Sequence, residues 1–385
     1  MTKYKRVGLI DKYLIEIILS ISFAYSCIIL HRWFVTDLGK FSFGRVWMYY
    51  VDYAEIGFQR RSLVGSILSF IGLSDLFENE YVFAYTIHTL CLAALYLIVL
   101  IQIKKIKSVE SRTRVAAVIA FSPGLFAHLA YATGTFDLIL VLLFTIILFW
   151  QKSLVLICIS VFLGTLIHES FLALVPSIAI LKSMDIEELH IRSLISLKFK
   201  TISNIFLFSL LPLLLYRFSP SLTEAEHNSI MKKHIPKAYN QMDLWSGFGE
   251  LHSGTSDNFR IGLKAINFLV RENLIFLILG ICYCAFLAFF VTNSRESKSK
   301  KVRLLLIFSF NSPLFLQLIA GDFWRWVSLS SIVSLLVMLK LAIEHNFHIR
   351  SRTYFFFGLT FFFNPLGASE LSDPLPLFTF ILERL

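Results

Sequence analysis

Residues Leu304–Ile343 read LLLIFSFNSPLFLQLIAGDFWRWVSLSSIVSLLVMLKLAI. Two apolar runs, Leu304–Ala320 and Val327–Ile343, enclose a polar knot, Gly321-Asp322-Phe323-Trp324-Arg325-Trp326. Each run approaches the roughly 20 apolar residues that a helix needs to cross a bilayer. Asp322 and Arg325 stand three residues apart, so a helical turn puts both charges on one face. Ionisable groups at the mouth of a membrane helix are costly and mark a functional site by default. Tyr50–Ser62, Thr133–Asp137 and Ile167–Ser170 carry the same mark. The order of spans places all four on one side of a membrane.

Composition agrees with that class. The chain has 385 residues, 56% hydrophobic and 16% charged, with a mean hydropathy of +0.70. Soluble domains run at about 45–50% apolar and about 25% charged, so this is an all-α polytopic membrane protein. Its 39 Phe, 14 Tyr and 6 Trp suit lipid-facing and interfacial surface, and equally a groove for a polyprenyl chain or sugars. The cysteines Cys27, Cys91, Cys158, Cys282 and Cys284 all fall inside apolar runs without metal-ligand spacing, so neither a disulfide framework nor a zinc site is implied. The net charge of +10 is spread in small clusters between spans. That is the signature of the positive-inside rule and not of a nucleic-acid surface.

In chain order, Lys3, Lys5, Arg6 and Lys12 precede an apolar run at Tyr13–Leu30. No small-residue cleavage site follows, which reads as a retained first helix with a cytoplasmic flank. Segment 31–80 is the first outer loop. Within it Ser62–Leu73 is too short to span and reads as a re-entrant or interfacial helix, whose N-terminus with Arg60 and Arg61 would suit a diphosphate. Tyr81–Ile103 then leads to Lys104, Lys105, Lys107, Arg112 and Arg114. Val115–Ala132 is interrupted by Ser122-Pro123-Gly124, as kinked spans are. Leu138–Trp150, Leu154–Ile167, Phe171–Leu181 and Thr201–Tyr216 follow, with Lys152 and Lys182 to Lys200 between them on the inside. Segment 217–273 is a large outer loop with some helix. Leu274–Thr292, Leu304–Ala320, Val327–Ile343 and Tyr354–Asn364 complete about eleven spans in one transmembrane domain, residues 1–385. No internal repeat is visible, which disfavours transporters built on repeated halves.

The outer residues supply both halves of a group-transfer site. Asp52, Glu55, Asp137, His168, Glu169 and Asp322 offer acids and bases, and Arg60, Arg61 and Arg325 offer fixed positive charge. Transfer from a lipid-linked diphosphate sugar needs a base for the acceptor hydroxyl and cations for the leaving diphosphate, and arginine forks fit phosphate better than lysine does. Each residue also has a plainer reading. Arg60-Arg61 would anchor the short helix at an interface, His168 would cap a helix while Glu169 faces water, Asp322–Arg325 would be an internal ion pair, and Asp137 would be an N-cap. His88 and His128 read as satisfied core residues, and the irregular spacing of the long-loop histidines gives no metal site.

With its single large outer loop late in the chain, and with Glu55-Ile-Gly-Phe-Gln-Arg-Arg-Ser-Leu-Val-Gly65, Ile167-His-Glu and Gly321-Asp-Phe-Trp-Arg-Trp326, the sequence resembles the O-antigen and capsule polymerases of bacterial surface polysaccharide assembly. The resemblance implies a multi-pass protein of the bacterial inner membrane with its N-terminus in the cytoplasm. It also implies polymerisation of undecaprenyl-diphosphate-linked repeat units on the periplasmic face, without metal or cofactor. Membrane lipid and a chain-length regulator protein are the implied partners. Arg60, Arg61 and Arg325 would then hold the diphosphate, joined in substrate binding by Glu55, Asp137 and Trp324. His168 or Glu169 would be the base, with Asp322 and Asp52 as further catalytic candidates.

Two other classes stay open. A GT-C-type glycosyltransferase using a polyprenyl-phosphate sugar would use Asp52 and Glu55 as the acidic pair of its first outer loop, although no Asp-x-Asp or Glu-Asp pair stands there. A lipid-linked sugar transporter would carry charges near the bilayer midplane, where only Glu16, His88 and His128 fall.

Overall fold

A computed structural model describes residues 7–35, 43–58, 61–73, 76–131, 135–183, 199–218, 222–235, 255–272, 274–293, 300–318 and 323–344. Regular structure among these residues is entirely helical. The helices are α1 (Val7–Val35), a single turn α2 (Tyr53–Ile56), α3 (Leu63–Phe70), α4 (Glu80–Lys104), α5 (Val109–Phe121), a single turn α6 (His128–Tyr131), α7 (Asp137–Phe149), α8 (Leu154–Ile167), α9 (Val175–Ser183), α10 (Phe199–Arg217), α11 (Glu224–His234), α12 (Thr255–Glu272), α13 (Leu274–Asn293), α14 (Lys300–Phe310) and α15 (Phe323–Glu344).

Helix boundaries follow from local chemistry. Asn79 accepts hydrogen bonds from the backbone N–H groups of Tyr81 and Val82, and Glu80 and Lys104 sit in the first and last turns of α4 where its dipole favours them. Thr223 and Glu226 close a reciprocal capping box at the start of α11. Five helices among the described residues are long and apolar enough to cross a membrane: Tyr13–His31, Glu80–Lys104, Val109–Ala130, Phe199–Arg217 and Arg325–Glu344. Asp137–Phe149, Leu154–Ile167 and Gly280–Thr292 are shorter apolar helices.

Three runs that read as single spans are broken. Val115–Ala132 divides at Ser122, where the side chain accepts from Gly124 N–H and Pro123–Ala127 form a wider turn. Leu304–Ala320 divides at Asn311, after which Ser312–Leu318 continue as a 3-10 helix. Phe171–Leu181 begins as 3-10 helix, Glu169–Ala173, before α9. Proline and serine cause the first two breaks, since Pro lacks a donor and Ser offers the backbone a rival partner. Tyr354–Asn364 lies outside the described residues.

Helix α15 is the centre. Mostly apolar and buried along most of its length, it belongs in an interior. It packs against α4, α5, α7, α13 and α14 and against the Pro123–Ala127 and Ser312–Leu318 turns. Ser328, Ser330, Ser331 and Ser334 are fully buried along it, small side chains that let neighbouring backbones come close.

Helices α15 and α7 are pinned at both ends. Arg325 meets Asp137 where both begin, and Lys340 Nζ donates to the Leu148 carbonyl at 3.0 Å near where both end. The two therefore run parallel, and the fold has two chemically different ends. One holds lysines: Lys182 Nζ donates to the Gln151 carbonyl at 2.6 Å, and Lys104 pairs with Glu16 at 3.0 Å. The other holds the mixed charges taken up next.

Candidate functional site

At that second end three chain segments meet. The first is the stretch before α3. Gly65 lets α3 lie directly on the preceding segment: a Cβ there would stand 2.1 Å from the Val51 carbonyl oxygen. Tyr53 N–H also donates to Ser66 Oγ at 2.8 Å. Arg61 precedes the helix with φ of 69°, the left-handed region that costs a non-glycine residue about 1–3 kcal/mol. Its surroundings hold it there.

The second segment is the junction after α8. Gly164 brings α8 against Phe171, a fully buried ring whose Cδ1 would lie 2.5 Å from an added Cβ. The chain can then turn sharply at His168, the C-cap of α8 with extended backbone. His168 Nδ1 accepts the Ser170 backbone N–H at 3.1 Å and lies 2.8 Å from Ser170 Oγ. An accepting Nδ1 assigns the proton of the neutral ring to Nε2. Burial lowers the pKa of His168 to about 3, a shift the Glu169 carboxylate opposes and Arg61 and Arg325 reinforce. The imidazole is therefore neutral at pH 7. Its 3.6 Å approach to Glu169 is a contact and not an ion pair.

Glu169 pairs with Arg61: Nη2 donates to Oε1 at 2.6 Å and Nε reaches Oε2 at 3.4 Å. The third segment is the start of α15. Arg325 grips Asp137 in a fork, Nε to Oδ2 and Nη2 to Oδ1, both at 2.6 Å, and its guanidinium lies 4.9 Å from the Trp326 ring. Asp137 and Glu169 both act electrostatically on His168, as do both arginines. The structure thus brings Arg61, Asp137, His168, Glu169 and Arg325 into one cluster. Two arginine–carboxylate pairs flank a neutral histidine.

Asp52 and Glu55 have other partners. Asp52 is the N-cap of α2, accepting from Glu55 N–H at 3.0 Å, which is a structural task. Glu55 is tied to α11 by Lys233 at 2.7 Å and by His234. Asp137 is not an N-cap: Phe136 takes that position without a side-chain bond, and Asp137 is the first helical residue, its carboxylate turned to Arg325. Arg60, Asp322 and the Trp324 side chain lie outside the described residues.

Sequence reading missed three aromatic contributors. Tyr49, buried and edge-on to Phe136 at 5.2 Å, lies near Asp137. Its phenol is shifted upward by burial first, then by Cys91 and Asp137, so it stays protonated. Tyr216 Oη donates to the Leu166 carbonyl at 3.0 Å, fixing α10 to the end of α8. Phe58 lies between the Tyr53 and Tyr216 rings, at 4.8 and 5.5 Å. Only Phe58 had a local cue, its place beside Gly57. His88 and His128 are buried as expected of core residues, with His88 Nε2 2.8 Å from the Leu129 carbonyl and His128 within electrostatic range of Asp137.

Among the described residues no three His, Cys, Asp or Glu side chains gather as metal ligands would. The groups present are those of acid–base and anion chemistry: a partly accessible carboxylate, a neutral imidazole and two arginine forks. Comparison with protein-family models, with curated proteins and with solved structures returned no match.

Proposed function

We propose that this protein is a membrane glycosyltransferase that polymerises polyprenyl-diphosphate-linked oligosaccharide units. The observation that carries the reading is the pair of arginine–carboxylate contacts on either side of His168, at one end of a bundle of apolar helices. A lipid-linked diphosphate sugar would present its anion and its reacting carbon at such a level, with the polyprenyl chain beside the helices. Arg61 would bind the leaving diphosphate, whose charge grows as the glycosidic bond breaks. Glu169 would take the acceptor hydroxyl proton. His168, neutral and protonated on Nε2, would donate a hydrogen bond without adding charge. Asp137 with Arg325 would keep α7 and α15 in place beneath them.

The positive-inside rule applied to Lys104, Lys152, Lys182 and Lys340 would put the opposite, charged-pair end on the periplasmic side of a bacterial inner membrane. The GT-C-type alternative draws less support, because Asp52 is committed to capping α2 and Glu55 to α11. The test is the surface-glycan ladder on a gel after gene deletion, with rescue by wild type or by Glu169→Gln. A polymerase gives a ladder collapsed to single repeat units and no rescue by the variant. A full-length ladder of altered mobility would instead mean a decorating glycosyltransferase, and an unchanged gel would refute glycosyl transfer to this polymer.

A further inference from the structure

The two arginine–carboxylate pairs differ in accessibility and grip. Asp137 and Arg325 have side chains 0% and 11% exposed and share two hydrogen bonds of 2.6 Å. Arg61 and Glu169 are 11% and 23% exposed, with one bond of 2.6 Å and a second stretched to 3.4 Å. Buried charge pairs hold firmly because parting them strands a charge, whereas partly hydrated pairs exchange at small cost. From this contrast we infer that Arg61 and Glu169 form an exchangeable pair: a polyprenyl diphosphate takes Arg61 over from Glu169, and the exchange delivers Glu169 as the base for the acceptor hydroxyl. The inference rests on the glycosyl-transfer reading.

Arginine favours the exchange. A diphosphate carries more negative charge than a carboxylate and offers the guanidinium fork two oxygens at matching spacing. Once Arg61 turns to phosphate, Glu169 loses that positive charge, and the neighbouring His168 imidazole, being neutral, does not replace it. The carboxylate becomes more basic at the moment the donor is bound. The step balances without further reactants. The acceptor O–H proton passes to Glu169 as the acceptor oxygen bonds to the donor's anomeric carbon. The bond from that carbon to the diphosphate oxygen breaks, and its electron pair leaves on the diphosphate, beside Arg61. Asp137–Arg325 stays closed throughout. An enzyme so built keeps its base occupied by Arg61 until a donor arrives, which limits transfer to water.

Binding of farnesyl diphosphate and farnesyl monophosphate to the full-length protein in detergent, by calorimetry, tests this. Glu169→Gln and Glu169→Ala remove the competitor, so both should bind the diphosphate about two- to fivefold more tightly than wild type. Arg61→Ala should lose the preference for diphosphate over monophosphate, and Arg61→Lys, which keeps the charge, should lose part of it. Tighter binding with loss of glycan polymerisation in Glu169→Gln supports the exchange. Diphosphate-selective wild type with Glu169 variants that bind no tighter overturns the exchange and leaves glycosyl transfer standing. A wild type that does not distinguish the two probes overturns both.

Discussion

The Asp137–Arg325 pair allows a sharp prediction about stability, through the substitutions Asp137→Leu and Arg325→Met, alone and combined. The Asp137 side chain is fully buried and that of Arg325 nearly so, and both hydrogen bonds are 2.6 Å long. Removing one partner of such a pair costs about 3–5 kcal/mol, because the survivor loses its bidentate counter-charge. The two single variants should not be equal. Arginine cannot shed its proton within a protein, so Asp137→Leu leaves a permanent buried cation and takes the upper part of that range. A stranded aspartate can bind a proton and become neutral, so Arg325→Met falls at or below the lower part. The double variant replaces the pair by apolar groups of similar volume and should lie within about 1–2 kcal/mol of wild type. The assay is equilibrium unfolding in mixed micelles, titrated with sodium dodecyl sulfate and followed by tryptophan fluorescence. Costs that add in the double variant, or single variants within 1 kcal/mol of wild type, would refute the view that this pair is a buried strut between α7 and α15.

The close approaches that shape the site carry predictions too. Gly65→Ala forces a Cβ onto the backbone carbonyl oxygen of Val51 at 2.1 Å, where no flexible side chain can yield, and should cost at least the roughly 1–3 kcal/mol of an overpacked core while displacing Arg61; the same unfolding titration would show it. Gly164→Ala meets the Phe171 ring at 2.5 Å and should be partly relieved by the compensating Phe171→Leu, a rescue visible in the double variant. For His168 the folded pKa, about 3, lies below the unfolded value near 6.5, so the unfolded chain binds more protons between them and stability rises with pH through that window. Between pH 4.5 and 6 the wild type should lose up to about 1.4 kcal/mol per unit of falling pH relative to His168→Gln, and parallel curves for the two would contradict a neutral buried imidazole. Tyr216→Phe removes the bond to the Leu166 carbonyl and should cost about 0.5–1.5 kcal/mol, with faster amide hydrogen exchange at the end of α8 as the readout.

Apolar runs disclosed the helices because their signal is one-dimensional. Leu154–Ile167 matches its run residue for residue, and Glu80–Lys104 adds only one residue at each end to Tyr81–Ile103. The interruptions were only partly legible. Ser122-Pro123-Gly124 announced a kink, but Ser312-Pro313 inside Leu304–Ala320 passed as one span because apolar neighbours outweighed it in any averaged window. His168 and Glu169 stood out since ionisable groups end an apolar run there. Their partners did not, because pairing Arg61 with Glu169 and Asp137 with Arg325 spans 108 and 188 residues of sequence. A charge's sign is local information; its partner is tertiary information. The same gap hid the partners of Asp52 and Glu55, whose density of charge near Arg61 suggested one site: Asp52 caps α2 and Glu55 pairs with α11.

The net charge of the cluster follows from these pairings and bears on what it can bind. Among the described residues, these two arginines, two carboxylates and a neutral His168 sum to zero, so these five groups alone would not attract a diphosphate by field. Under the proposed exchange, selectivity would come from competition: an anion would enter only if it held Arg61 better than Glu169 does, which a diphosphate could do and a neutral sugar or single carboxylate could not. The strut at Asp137–Arg325 is what makes such selection workable. If both pairs were equally open, an anion could take Arg325 as well and free α15 from α7, trading binding for unfolding. Burying the Asp137 carboxylate completely and leaving that of Glu169 partly hydrated would separate the two tasks, with α15 held by the first pair and the ligand admitted by the second.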